Sequence, residues 1–330
     1  MRAFVTGLDG FAGAHLAALL LAHGWALHGT VRRPARLARL ASLPAPGLAA
    51  PARVVDVTDA AAVAAAVAAA QPEVLFHLAG LTFVPDAAAD PGAAFRVNAL
   101  GALHVLAAVH RHAPRCRVVL VGSADAYGAV EATALPVREI RPLQPLSAYG
   151  ASKAAAELVA EQWQRGMGVD VVRLRPFNHT GPGQRPDFVC ADFARQLVAV
   201  ARGVQPVRLR VGDLTPVRDF TDVRDVVAAY VAAAERGASG AVYNVCSGVG
   251  RSIRSVLDDL AAAVGVTVEV EGDPTRTRPN RVPCLVGSAE ALHTATGWAP
   301  TITWAQTVAD LVRSAEGATT AAPPSDAARQ

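Results

Sequence analysis

Tyr149 and Lys153 stand four residues apart, and Lys153 is the only lysine in the chain; of 31 basic residues the other 30 are arginine. Arginine and lysine serve about equally well on a solvated face. A composition this skewed therefore marks position 153 as one that a bulky, planar, permanently charged guanidinium does not fill, whereas an ammonium is a compact charge whose pKa can move. One helical turn places Tyr149 on the same face as Lys153, and an ammonium beside a phenol favours the ionised phenolate. To exchange a proton near neutral pH a tyrosine must fall from about 10 toward 7, about 4 kcal/mol of differential stabilisation. A buried lysine with a neighbouring cofactor charge would supply that. The plain alternative is a coincidental pair on a wet helix; with four tyrosines and one lysine such a match has odds of about one in a hundred. The chemistry on offer is acid–base catalysis beside a cofactor.

The elements that would position these residues begin at once. Residues 2–6 are a short apolar run leading into Gly7-Leu8-Asp9-Gly10-Phe11-Ala12-Gly13 and a helical stretch to about Ala22. Strand, glycine turn and helix in that order form the context of a dinucleotide fingerprint, in which glycines let the backbone approach a pyrophosphate resting on the helix N-terminus. The spacing is Gly-x-x-Gly-x-x-Gly, and glycine-rich turns also simply join strands to helices. A second strand, Ala26 to Val31, ends in Arg32-Arg33. A basic residue there accommodates a 2′-phosphate where an acidic one would bind a ribose hydroxyl, so NADP(H) is favoured, with NAD(H) as the alternative.

Strands near Arg53–Val55, Glu73–His77 and Arg117–Gly122 alternate with helices over Asp59–Ala70 and Pro91–His112. This repetition predicts an α/β fold with a doubly wound parallel, Rossmann-like sheet. Ligands of such sheets lie beyond the carboxyl ends of the strands, where Asp56, Ala79 and Ser123 fall. The proline-rich stretch to Pro145 reads as a mobile loop, and Ser147 as the cap of the helix carrying Tyr149 and Lys153. After the strand Val169–Arg175 the alternation loosens. Helices are expected at 187–202, 222–235, 252–264 and 303–314, with strands near 207–211, 242–245 and 266–270. The reading is a dinucleotide-binding domain over 1–175, with about 222–246 returning to it, and a smaller α/β substrate domain over about 176–221 and 247–315. Residues 316–330 read as a disordered tail.

Composition narrows the class. Apolar residues are 52%, charged ones 18%, and the net charge of +3 with dispersed arginines argues against nucleic acid. Without an unbroken apolar run of spanning length or a leader pattern, the expectation is a cytoplasmic protein with no membrane partner. Cys116, Cys190, Cys246 and Cys284 lack metal-ligand spacing, so no metal is expected.

Together the features resemble the extended short-chain dehydrogenase/reductase family of nucleotide-sugar epimerases, dehydratases and reductases. The residues that carry this are Gly7-x-x-Gly10-x-x-Gly13, Asp56-Val57, His77-Leu78-Ala79, Val97-Asn98-Ala99-Leu100-Gly101, Ser123-x-x-x-Tyr127-Gly128 and Tyr149-x-x-x-Lys153. A narrower resemblance, to reductases of GDP-4-keto-6-deoxymannose and their sister GDP-mannose 4,6-dehydratases, comes from residues 175–184, the run Arg218-Asp219-Phe220-Thr221-Asp222-Val223-Arg224-Asp225, and Thr296-Gly297-Trp298 with Pro300. The Gly181-Pro182-Gly183-Gln184 run is similar to the reductases. The resemblance implies catalysis by Ser123, Asp125, Tyr149 and Lys153. It implies cofactor contacts from Gly7, Gly10, Phe11, Ala12, Gly13, Arg32, Asp56, Val57, Leu78, Ala79, Asn98, Tyr149, Lys153 and His179. Substrate contacts would come from Thr82, Asn178, Val189, Arg195, Arg218 and Arg278, with Arg218 and Arg278 matched to a diphosphate by guanidinium geometry. Each arginine has the alternative of pairing with Asp219, Asp222 or Asp273 at the surface, and His179 that of a satisfied loop histidine. A homodimer through a four-helix interface of the 91–112 and 148–165 helices is also implied.

The expected reaction is NAD(P)H-dependent reduction at C4 of a nucleotide-linked 4-keto-6-deoxy sugar, GDP-linked by preference. Tyr149 donates the proton, Ser123 orients the carbonyl oxygen and Lys153 holds the nicotinamide ribose. Asp125 bears on the alternatives: the resembling dehydratases carry a glutamate there to take the C5 proton, and aspartate is a methylene shorter. Epimerisation is a further alternative, and a sensor or scaffold without chemistry a remote one, which has no need of the tyrosine. Three departures from the family stand in the substrate region: Asn280 in place of an acidic residue, Ser288 after Gly287 in place of Asp, and Thr82-Phe83-Val84 in place of a Gln-Ser pattern.

Overall fold

A computed structural model describes residues 1–41, 52–273 and 282–318. Seven parallel strands make the main sheet. They are β1 (Arg2–Thr6), β2 (Ala26–Val31), β3 (Ala52–Val54), β4 (Val74–His77), β5 (Arg117–Val121), β6 (Val171–Pro176) and the strand Val242–Val245. Their spatial order is β3-β2-β1-β4-β5-β6 followed by Val242–Val245, so the strand order switches sides between β1 and β4 and a crevice opens at their carboxyl ends. The doubly wound, Rossmann-like architecture is the one read from the sequence. Strands β1, β4 and β5 are apolar and buried because helices cover both faces. The helix Phe11–Ala22 packs on one side with Val223–Arg236, and Ala60–Ala70 and Gly101–His112 cover the other.

Two glycines are required by the first turn. Gly7 has φ +73°, and a Cβ there would lie 3.0 Å from the Ala79 backbone; a Cβ on Gly13 would lie 2.2 Å from the Gly7 carbonyl. The turn is thus threaded between β1 and the chain leaving β4. The expected long helix at Pro91–His112 is interrupted by a π-helical turn, Arg96–Leu100, which presents Asn98 inward. It is 22 residues long with a mean hydropathy of 1.4, long and apolar enough by those measures to cross a membrane, contrary to the expectation that no run qualifies. Here it lies against the sheet with the helices Ala60–Ala70 and Ala148–Met167.

The rest of the chain builds a smaller lobe. The helices Val189–Ala201, Ile253–Val264 and Trp304–Ala318 share an apolar core. A four-stranded sheet joins Asn178–Thr180, Val217–Asp222, Gly250–Ser252 and Cys284–Leu285, and Arg208–Val211 pairs with Glu269–Gly272. The strand Val217–Asp222 was not visible in the sequence because it reads as a polar run. Asp219, fully buried, accepts from the Ser247 amide and hydroxyl and from the amides of Gly248 and Gly287. Asp222 caps the helix Val223–Arg236 and holds Arg224 and Thr307. The alternative of Arg218 pairing with these carboxylates is not what the structure shows: Asp219 is taken by amides and a hydroxyl, and the arginine on Asp222 is Arg224.

Two further expectations are corrected. The stretch before Pro145 is tied down: the Val137 amide donates to the Val286 carbonyl, the Gln144 amide to the Ala126 carbonyl, and the Asn244 amide to Glu139 Oε1. Residues 316–318 belong to the last helix, which runs to Ala318; the remainder of the expected tail lies outside the described residues, as do Arg278 and Asn280.

Candidate active site

Ser147 opens the helix Ala148–Met167 by accepting from the Gly150 amide at 3.0 Å, as its place in the sequence predicts. Its first turns stand at the strand ends and the later ones pack on the sheet face. Lys153 is 6% exposed, and its Nζ donates to the Val121 carbonyl at the end of β5 at 2.8 Å. A Cβ on Gly80, just past β4, would stand 3.5 Å from that amine. The ammonium thus occupies a slot between the ends of β4 and β5, too close-walled for a guanidinium fork. Burial lowers its pKa to about 8, and the carboxylate of Glu157 acts the other way.

The half-buried phenol of Tyr149 behaves differently from the sequence expectation. Its pKa is pushed up, first by burial and then by the charge of Asp125, while a hydrogen bond with Ser123 opposes both. The expected sharpening by Lys153 is absent because the amine is turned to the strand carbonyl. Its charge acts on His77, which burial and then Lys153 lower to about 3; His77 is neutral and hydrogen-bonded to Thr6 Oγ1 at 2.8 Å. Ser123, at the end of β5, accepts from the Asp125 amide at 3.1 Å. Burial pushes the Asp125 carboxyl up, and Arg218 on the strand Val217–Asp222 counters it. Ser123, Asp125, Tyr149 and Arg218 therefore converge on one cleft between the lobes.

Asn98 completes the floor. Its Oδ1 accepts from the Leu81 amide, and its Nδ2 donates to the Leu81 carbonyl and to Ser152 Oγ. The π-helical turn thereby clamps the chain leaving β4, with Leu78 and Ala79, onto the Tyr149 helix. Ser152 had no role in the sequence reading; its signal was its place inside Tyr149-x-x-x-Lys153.

The cofactor end fits a dinucleotide. Gly10 begins the helix Phe11–Ala22 with no side-chain cap, which leaves the first-turn amides of Phe11, Ala12 and Gly13 directed at an open surface suited to a pyrophosphate. Asp56 at the end of β3 holds the Thr58 amide and hydroxyl, and the Val57 carbonyl accepts from His104. Arg32 is exposed at the end of β2. His179 stacks on Phe11 at 6.0 Å between centroids, its Nδ1 on the Phe177 carbonyl; the loop and cofactor readings of this residue meet in one place. On the substrate side Thr82 and Asn178 are exposed and Val189 half-buried, and rings of their neighbours Phe83 and Phe188 pack edge to face at 5.8 Å. Arg195 is exposed and paired with Asp192 on its own helix at 3.0 Å.

This fold and site define an extended short-chain dehydrogenase/reductase. The profile of the family described as GDP-mannose 4,6 dehydratase matches residues 4–311, and the chain belongs to that family. It is similar to a GDP-6-deoxy-D-mannose reductase of Pseudomonas aeruginosa, 39% identical, covering 93% of this chain and 94% of that one. The solved structure of RMD from Pseudomonas aeruginosa complexed with NADPH is 38% identical, with a TM-score of 0.84, covering 96% of this chain and 99% of that one. A Thermus thermophilus UDP-glucose 4-epimerase complexed with NAD is 31% identical, with a TM-score of 0.84, covering 96% and 100%.

Substitution tests the expected roles: Tyr149→Phe removes the phenolic proton and Ser123→Ala the hydroxyl beside it. Turnover is expected to fall about 100 to 1,000-fold for Ser123→Ala and at least as far for Tyr149→Phe, with cofactor affinity, read by fluorescence titration, retained; wild-type rates in either would refute the assignment. His77 supplies a pH test. The folded state resists its protonation to about 3, whereas the unfolded chain takes that proton near 6.5. Stability is therefore present above 6.5 and lost as pH falls, by at most about 1.4 kcal/mol per unit. Urea unfolding between pH 6.5 and 4 should show a shallower loss in His77→Asn.

Proposed function

We propose that this protein reduces the C4 keto group of a nucleotide-linked 4-keto-6-deoxy sugar, taking GDP-4-keto-6-deoxy-D-mannose to GDP-D-rhamnose. The observation that carries the reading is the state of Tyr149. A phenol held protonated by burial and by Asp125 is a loaded donor, which is what a ketone reduction consumes. Bound NADPH supplies the hydride. Tyr149 delivers its proton to the carbonyl oxygen, Ser123 orients that oxygen, and Lys153 stands at the strand ends to hold the ribose. Arg218, facing Asp125 in the free protein, turns to the diphosphate. The name and NADPH complex of the Pseudomonas aeruginosa relatives support the substrate and cofactor, and Arg32 at the end of β2 is placed for a 2′-phosphate. NAD(H) is the alternative cofactor, as in the epimerase structure.

Asp125 supports a second reading, 4,6-dehydration, since a carboxylate made more basic by burial is suited to taking the C5 proton. One assay separates them. The reductase oxidises NADPH stoichiometrically with the keto sugar and yields a product two mass units heavier; the dehydratase removes water from GDP-mannose with no net cofactor change. No loss of nicotinamide absorbance with the keto sugar would end the reductase reading.

The reading includes a cytoplasmic homodimer. The helical run Pro91–His112 and the helix Ala148–Met167 lie side by side and leave Phe95, Leu100 and Leu158 exposed, Leu158 at 65%. Four such helices would cover these apolar faces. Sedimentation should give a dimer that Leu158→Arg weakens at least tenfold; a wild-type monomer at micromolar concentration would refute it.

A further inference from the structure

Below Lys153 lies a buried ion pair that the reaction above leaves without a task. Glu157, one turn along the same helix face, is 2% exposed. Arg175 of β6 grips it, with Nε on both carboxylate oxygens at 2.9 and 3.1 Å and Nη2 on Oε2 at 2.8 Å. Arg175 Nη1 donates to the Tyr127 hydroxyl at 2.9 Å and to the Glu139 carbonyl at 3.0 Å. The Tyr127 hydroxyl donates to Asn244 Oδ1 at 2.7 Å, and Asn244 Nδ2 to the Val137 carbonyl at 2.9 Å. The chain of bonds runs through two strands of the sheet, β6 and Val242–Val245, to the loop before Pro145. Its geometry is reserved for the carboxylate: a Cβ on Gly122 would stand 2.5 Å from Glu157 Oε1. Lys153 Nζ is bonded to Val121, the residue before Gly122, so amine and carboxylate meet the same strand end.

Such pairs contribute little to stability over an apolar replacement, while an ammonium at 6% exposure loses its proton readily unless a negative charge faces it. We propose that Glu157, held by Arg175, is a positioning residue that keeps the buried Lys153 amine charged at the strand edge. Among the described residues facing the amine there is no other source of negative charge. His77 on β4 is neutral; Gly80 and Asn98 carry no charge; Tyr149, one turn back, is a protonated phenol; Asp125 faces Arg218. Glu157 opposes the effect of burial on the amine. Only the use of Lys153 in catalysis rests on the function proposed above; its charge state does not.

The composition supplies the experiment. Growth on lysine labelled with ¹³C at Cε gives a single side-chain lysine signal, since position 153 holds the only one, and its shift against pH titrates the amine directly in the intact protein. The wild-type midpoint is expected near 8. Glu157→Gln should lower it by about one unit or more, and Glu157→Asp should restore most of the loss. The double variant Glu157→Gln/Arg175→Met, which leaves no orphaned guanidinium if the single variant fails to fold, removes a positive charge with the negative one and should lower it by less than the single variant. An unchanged midpoint in a folded Glu157→Gln variant would overturn the proposal. The titration needs no substrate, so it stands or falls apart from the assay of the keto sugar.

Discussion

One amine buried at the carboxyl edge of a parallel sheet is the constraint on which the site depends. In that position an ammonium loses most of its hydration, and the fold must return it through a strand carbonyl, a close wall of backbone and a carboxylate on the same helix. Each of these comes from a different element: Val121 from β5, Gly80 from the chain after β4, and Glu157 from the Ala148–Met167 helix. The slot exists only when all three are in register, so the geometry of the strand ends and the chemistry of the cleft are one requirement. It also accounts for a lone lysine among arginines, since guanidinium has no compact charge to place there.

The second feature of the cleft is the separation of its two titrating groups. Lys153 faces His77 and the strands, while Tyr149 faces Ser123 and Asp125. The amine is pulled down and the phenol pushed up, so in the free protein neither is yet matched to the other. A phenol that keeps its proton until substrate arrives suits a donor, and neighbouring environments that drive two pKa values apart are how one fold assigns acid and base roles. Asp125 and Arg218, drawn from the two lobes, act on each other's charge across the same cleft.

The smaller lobe is organised by carboxylates where a core residue would ordinarily sit. Asp219 collects donors from two loops, Asp222 caps a helix and holds Arg224, and Asp225 accepts from the amides of Thr301 and Ile302. Three aspartates at a spacing of three residues thus tie a strand, a helix start and the approach to the last helix into one piece. Arg218 is carried on that strand, and the buried carboxylates leave it aimed at the cleft instead of engaging it.

The sequence by itself determined the larger sheet and the placing of Tyr149 and Lys153 on one helix. The apolar runs, the Gly7-Gly10-Gly13 turn, the capping Ser147 and the four-residue spacing of Tyr149 and Lys153 are local signals, legible because period, turn chemistry and helix geometry act over a few residues. What only the tertiary structure decided was everything set by groups distant in the chain. The π-helical turn at Asn98, the polar strand Val217–Asp222, the tethering of the loop before Pro145 and the pairing of Arg195 with its own helix depend on partners that no spacing reveals. The direction of the Tyr149 shift is the sharpest case. Adjacency to a lysine points downward, but burial and the charge of Asp125 push the other way, and desolvation is a property of the packed molecule, not of the chain.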